Sequence, residues 1–206
     1  MRRLTVVGMV LVLAACGQAY KLRPLNPDET NGLAAAANPL LRQLGYIRAQ
    51  SSCQFGTSLN DVPNRQLEVS RPTTADTCLL FYMTTGALGL PREELRALIA
   101  HSLGHLHLDH ATTTGRRVST RMGGGFSTTG AQARLYTAEE ETAADRYAAG
   151  LLRTASPGAS GEGCHALAVV LERAASEGDR WETWREQHPL DPARPAAARA
   201  FCAIGR

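Results

Sequence analysis

Two histidines, His101 and His105, are separated by four positions in the segment HSLGH. The surrounding sequence predicts a helix, and residues four apart on a helix lie about 40° apart around its axis and one turn apart along it. Both imidazoles can therefore reach one metal ion. Glu141 and Asp145 are also four apart, on a second predicted helix. A ligand from Glu141 would leave one position for water, as catalytic zinc requires, and Asp145 can orient a ligand histidine through its free ring N–H.

The elements that must position these residues are predicted from local patterns. Pro91 begins a helix that runs to about Leu108, because proline is favoured at a first helical position and two acidic residues follow in the first turn. A second strong helix is expected over about 137–154. The apolar run 78–83, which is bounded by turn residues, is typical of a strand. The remaining expectations are helices at about 29–50, 164–176 and 195–202, and a long loop over about 111–130 that is rich in Gly, Ser and Thr.

At these two motifs the chain resembles the gluzincin metallopeptidases that include the CAAX prenyl proteases and the HtpX-like proteases. Their signature is H-E-x-x-H on one helix and E-x-x-A-D on a later one. The resemblance covers roughly residue 38 to the C-terminus, and it includes the approach ELRALIAH to the first motif. The other matching positions are Glu141, Ala144 and Asp145 in the second motif, and His188, Pro189 and Arg194 in a segment like the family's H-P-x-x-x-x-R.

The resemblance implies an α+β, mostly α-helical fold, with zincin-like helices beside a small antiparallel sheet. It implies a Zn²⁺ ion held by His101, His105 and Glu141, with Asp145 behind a ligand, and endopeptidase activity on unfolded or envelope polypeptides. A substrate strand would pair with an edge strand near residues 79–83. In some periplasmic members the histidine that corresponds to His188 approaches the metal and plugs it.

Ser102 departs from the family pattern, because the family has a glutamate there as the general base. A serine hydroxyl cannot accept a proton usefully at neutral pH, and loss of a general base typically costs about 10²–10⁴ in rate. Glu139 and Glu140 face other sides of the helix from Glu141, so they are poor substitutes. Two interpretations stay open: a metallopeptidase of weak or lost activity, or a non-catalytic pseudoprotease that binds zinc and envelope polypeptides.

Neighbouring histidines and acidic residues have interpretations other than metal binding. His107 and His110 lie about 240° and 180° around a continuing helix from His101, which predicts that they are surface or packing residues outside the site. Asp109 shares the face of His101 but lies about 12 Å along the axis, too far for one ion. Glu141 has an alternative interpretation as an exposed acid at a solvated helix start.

The N-terminus predicts where the protein goes. Residues 1–15 have the two arginines, the apolar run and the small closing residues of a secretory signal peptide. They end in Leu-Ala-Ala before Cys16, which resembles the bacterial lipobox and implies lipidation of Cys16 and anchoring to a membrane. Gly17 in place of Asp favours the periplasmic face of the outer membrane. The expected domains are therefore the signal peptide, a lipidated tether at 16–28, and a single metallopeptidase-like domain at 29–206; an ordinary secreted protein is the alternative.

Composition limits the remaining choices. Hydrophobic residues make up 44% of the 206-residue chain and charged residues 20%, which is typical of a soluble globular domain rather than a disordered chain. The formal net charge is +3, and two of the basic residues are the arginines of the predicted signal peptide. The rest of the chain therefore has no basic surplus that would argue for nucleic-acid binding. Four cysteines remain after Cys16, and an even number in an oxidising compartment predicts two disulfides. Of the three pairings, Cys53–Cys78 with Cys164–Cys202 is favoured because each pair flanks one predicted segment.

Overall fold

The structure is a computed structural model that describes residues 22–47, 54–71, 77–110, 136–155 and 162–203. The predicted signal peptide, the predicted lipidation site at Cys16, Cys53 of one predicted disulfide and the predicted loop at 111–130 lie outside these residues. Within the described ranges, no helix combines the length and the apolar character needed to cross a bilayer.

The fold is α+β and mostly helical, which confirms the predicted class. Each long helix begins and ends within a few residues of its predicted position, except that the first ends earlier. The helices are α1 (Pro27–Gln43), α2 (Thr85–Leu88), α3 (Arg92–His107), α4 (Ala138–Ala155), α5 (Glu162–Ser176), α6 (Glu182–Gln187) and α7 (Arg194–Ala203), with a short 3-10 helix at Gly178–Trp181 before α6.

The sheet differs from the prediction in two respects. It is mixed rather than antiparallel, because its two long strands pair in parallel, and the strand at 77–84 is not at an edge. Its order is β1-β2-β4-β3, with β2 and β4 parallel and the other pairs antiparallel. A parallel partner requires a long connection, and strand partnership of this kind is not visible in a local pattern. The strands are β1 (Leu22–Arg23), β2 (Gln54–Asn60), β3 (Leu67–Ser70) and β4 (Thr77–Thr84).

Helix α3 is the central element of the fold. Every residue from 95 to 106 is buried, because α1, α4, α5 and β3 pack around the helix. The polar residues His101, Ser102 and His105 are therefore buried with the apolar ones. Buried polar groups need partners, so each of these side chains must be satisfied inside the protein.

Helix α4 approaches α3 unusually closely. A Cβ atom on Gly104 would lie 2.8 Å from the backbone oxygen of Ala144. The start of α4 is fixed by a capping box, in which Thr137 and Glu140 each accept a hydrogen bond from the other's backbone N–H, at 3.2 and 2.7 Å. The small residues at the crossing thus bring the HSLGH and ETAAD segments together.

The C-terminal helices close over this pair. Cys164 on α5 and Cys202 on α7 form a disulfide, one of the two pairings expected from the sequence. Cys78 is disulfide-bonded as well. Because Cys53 lies outside the described residues, its pairing with Cys78 stays a prediction. The disulfide between α5 and α7 ties the end of the chain to the core beside the helices that carry the two motifs.

Candidate metal centre

Four side chains from three parts of the chain converge at the α3–α4 crossing. His101 and His105 come from α3, Glu141 from α4, and His188 from the residue after α6. Each offers a ligand atom, and these atoms all lie within 4.8 Å of one another. All four residues are buried, and Glu141 is fully so. The structure therefore brings together the three predicted ligands and adds the histidine that the sequence placed only near the metal.

The interatomic distances fit a metal ion. The Nε2 atoms of His101 and His105 are 3.0 Å apart. Glu141 Oε2 lies 3.4 Å from His101 Nε2, and Glu141 Oε1 lies 3.3 Å from His105 Nε2. A tetrahedral site with bonds of about 2.0–2.1 Å has edges of about 3.3–3.4 Å between its ligand atoms. The two imidazole nitrogens and the Glu141 carboxylate are thus spaced closely enough to share one ion, and the buried group can hold a metal ion.

His101 is oriented from behind by Asp145. Its Nδ1 lies 2.9 Å from Asp145 Oδ1, and the Arg194 guanidinium holds both oxygens of that carboxylate, at 2.8 and 3.0 Å. Because Asp145 is flanked by two cationic groups, its pKa is lowered despite burial, and it acts as an acceptor. His101 therefore donates Nδ1–H to Asp145 and directs Nε2 into the centre, the arrangement expected of Asp145.

The two α3 histidines differ in basicity. Burial alone would lower the pKa of His101, but the hydrogen bonds to the Asp145 and Glu141 carboxylates raise it to about 9. Burial lowers the pKa of His105 to about 3, only partly opposed by Glu141. At neutral pH and without metal, His101 thus carries the positive charge and His105 is neutral.

Glu141 is an internal carboxylate rather than an exposed acid at a helix start. Its Oε1 lies 2.9 Å from His188 Nδ1, and its Oε2 lies 2.8 Å from an Arg194 nitrogen. Burial would raise its pKa, but the surrounding histidines hold the pKa well below the ordinary value. The solvated-start interpretation is therefore wrong, because tertiary packing covers this face of α4.

His188 is packed against two aromatic rings. Its ring stacks on Trp184 at 4.5 Å with 14° between the planes, and the Tyr136 ring lies 4.9 Å from it at 31°. Its Nδ1 also lies 3.4 Å from His101 Nε2, and within the described residues its buried Nε2 has no hydrogen-bond partner. The ring is 2% exposed. His188 thus offers a fourth ligand atom within reach of the same ion.

The Ser102 hydroxyl is engaged by a group outside the four candidate ligands. Its Oγ accepts the backbone N–H of Val69 in β3 at 2.6 Å, and the residue is 6% exposed. The hydroxyl therefore fastens α3 to the neighbouring strand. Glu140 is engaged in the capping box of α4, and Glu139 is exposed. Neither of them stands in for the missing glutamate.

Three residues that shape the centre were not predicted to do so. His110 is not among the four candidate ligands, as expected, but its Nδ1 lies 3.1 Å from His105 Nδ1. A helical wheel does not give this contact because α3 ends at His107 and the chain turns. Tyr136 stacks on the His105 ring at 3.7 Å and 24°, which no spacing indicated. Gly104 had a signal: a glycine inside a strong helix costs about 1 kcal/mol and needs a packing reason.

Neither the models of known protein families nor the curated proteins contain a match to this chain.

Proposed function

We propose that this chain is a zinc-binding, metallopeptidase-like lipoprotein of the bacterial cell envelope whose proteolytic activity is weak or lost. The observation that carries the proposal is the convergence of two ring nitrogens and one buried carboxylate at 3.0–3.4 Å. Neutral imidazoles and a carboxylate are a donor set that suits zinc. Zinc bound there would act as a Lewis acid.

The order of the motifs supports a gluzincin-like architecture. The paired histidines lie on α3, and the Glu141-x-x-Ala144-Asp145 motif lies on the next long helix, in contact with α3. The first motif contributes two candidate ligands and the second contributes one, and each motif has one small residue at the crossing, Gly104 or Ala144. In this chain the roles are those of the family motif, residue by residue, except at Ser102.

Two features argue against ordinary catalysis. Catalytic zinc sites keep one open position, whereas His188 occupies the fourth corner here, packed between Trp184 and Tyr136. The position of the general base holds Ser102, whose hydroxyl is engaged by Val69. We therefore propose that the chain holds zinc in a closed site and does not act as an ordinary peptidase.

Metal content tests the first part of the proposal. The mature domain, prepared without chelator, should contain about one zinc per chain. His105→Ala and Glu141→Ala should lose it, because each removes a corner of the centre. His107→Ala is the matched control, since His107 is on the same helix but contacts Tyr46 and Tyr147 instead. Absence of stoichiometric zinc from the wild type would end this reading.

Activity measurements test the second part. Wild type should not cleave an unfolded protein such as reduced casein in a zinc-dependent manner. The double change Ser102→Glu with His188→Ala supplies the carboxylate and frees the fourth coordination position of the metal for water. We expect the rate of casein cleavage to rise by roughly 10²–10⁴, the contribution of a positioned general base. Adding Glu141→Ala should abolish that gain. Ordinary zinc-dependent cleavage by the wild type would contradict the proposed loss of activity.

A second candidate is a protein that binds envelope polypeptides without cutting them. Strand β3 is at one end of the described sheet, so an extended polypeptide could add to it. Ser102 already takes the Val69 N–H, which leaves fewer backbone groups for a partner. Hydrogen exchange with and without reduced casein tests this candidate. Protection confined to β3 would support binding there, and unchanged exchange would count against it.

A further inference from the structure

We propose that His110 is a positioning residue of the metal centre, which fixes His105 in the tautomer and ring orientation that a ligand needs. This inference rests on the proposed function, because it assumes a metal at the centre. Its starting point is the contact between the two Nδ1 atoms, 3.1 Å apart.

The two nitrogens of His105 face different groups. Nε2 faces the centre, 3.0 Å from His101 Nε2 and 3.3 Å from Glu141 Oε1. A neutral imidazole that binds a metal through Nε2 carries its proton on Nδ1, and that buried N–H needs an acceptor. The described residue in position to accept it is His110, through its own Nδ1. His110 must then carry its proton on Nε2.

A turn at the end of α3 places His110 there. The helix ends at His107, Leu108 N–H bonds to the Gly104 oxygen, and Asp109 has a φ of 58°. Aspartate is one of the few residues other than glycine that adopt this left-handed conformation at low cost. On a continuing helix His110 would lie about 140° around the axis from His105 and could not reach it. The contact is thus a product of the turn.

The two α3 histidines are held by different kinds of acceptor. His101 donates to the charged carboxylate of Asp145, whereas His105 meets a neutral ring. Tyr136 stacks on the face of His105 and fixes the plane of the ring. Stacking does not distinguish the two ring nitrogens, so it leaves the choice of tautomer to His110. Groups that hold ligand histidines in this way typically change metal affinity about 10–100-fold when they are removed.

Three variants of the otherwise intact domain test the inference by zinc affinity, measured in competition with a chromophoric chelator. His110→Ala removes the acceptor, and we expect zinc affinity to fall about 10–100-fold. His110→Asn restores it, because asparagine Oδ1 is as many bonds from the backbone as histidine Nδ1, so its affinity should be close to wild type. His107→Ala is the control for loss of a neighbouring histidine and should leave affinity unchanged.

The outcomes separate this inference from the proposed function. If wild type binds no zinc, the proposed function fails and the inference falls with it. If wild type binds zinc but His110→Ala matches His107→Ala, or His110→Asn falls as far as His110→Ala, the inference alone is overturned. Long-range ¹⁵N–¹H spectra of the zinc-loaded wild type give an independent reading. They should show the His105 proton on Nδ1, and a proton-free Nδ1 would also overturn the inference.

Discussion

Substitution of Gly104 tests whether the close crossing of α3 and α4 positions the metal centre. His101 and His105 lie three residues before it and one after it on α3, while Glu141 lies three residues before Ala144 on α4. A Cβ on Gly104 would lie 2.8 Å from the Ala144 oxygen and 3.1 Å from its Cα. Both are backbone atoms that cannot rotate away. Gly104→Ala must therefore separate the helices that carry the two halves of the centre.

The size of the effect follows from these distances. Ordinary contacts of a Cβ begin at 3.4 Å, so the helices must move apart locally by about 0.6 Å. Ligand positions in a metal site tolerate only about 0.2 Å. Overpacking costs about 1–3 kcal/mol, and the higher helix propensity of alanine returns about 1 kcal/mol. We expect a net loss of about 0–2 kcal/mol in the free energy of unfolding, and zinc affinity lower by about 10–100-fold, as when groups that hold ligands are lost.

Gly150→Ala is the matched control. Gly150 is also inside a helix, α4, but a Cβ there would meet nothing within 4 Å. This change should stabilise the protein by about 0.5–1 kcal/mol and leave zinc affinity unchanged. Urea unfolding of the metal-free variants and chelator competition measure the two quantities. If Gly104→Ala gains stability as Gly150→Ala does and keeps wild-type zinc affinity, the close crossing does not position the centre and the reasoning is wrong.

Three further predictions concern other parts of the protein. The pKa of His101 is raised to about 9 from an ordinary 6.5, so its charged form stabilises the metal-free fold fully below about pH 6.5, and this contribution is lost as pH rises through 9. Urea unfolding at a series of pH values should show the loss, and His101→Gln should remove this part of the pH dependence of the free energy of unfolding. Ser102→Ala should lower the free energy of unfolding by about 1–3 kcal/mol, because the buried Val69 N–H loses its acceptor; a loss below about 0.5 kcal/mol would refute that role. Cys16→Ser should abolish palmitate labelling and release the protein from membranes, and equal labelling of both forms would count against the lipobox.

Local rules in the sequence were enough to place the reactive residues on their elements. The helical period put His101 beside His105 and Glu141 beside Asp145, because such pairs depend only on turns within one helix. Proline at the start of a helix and the apolar strand pattern likewise gave α3 and β4 close to their observed bounds. The α+β class was expected from the resemblance at the two motifs.

Only the tertiary structure decided how these pieces meet. The partner of β4 is β2, in parallel, so β4 is internal to the sheet, and this depends on connections that no local pattern encodes. The left-handed turn at Asp109 brings His110 against His105, a contact that a helical wheel does not give. The packing of His188 against aromatic rings brought a fourth candidate ligand to the other three. Each of these outcomes depends on contacts between residues far apart in the chain, whereas periodicity reports only on neighbours within one element.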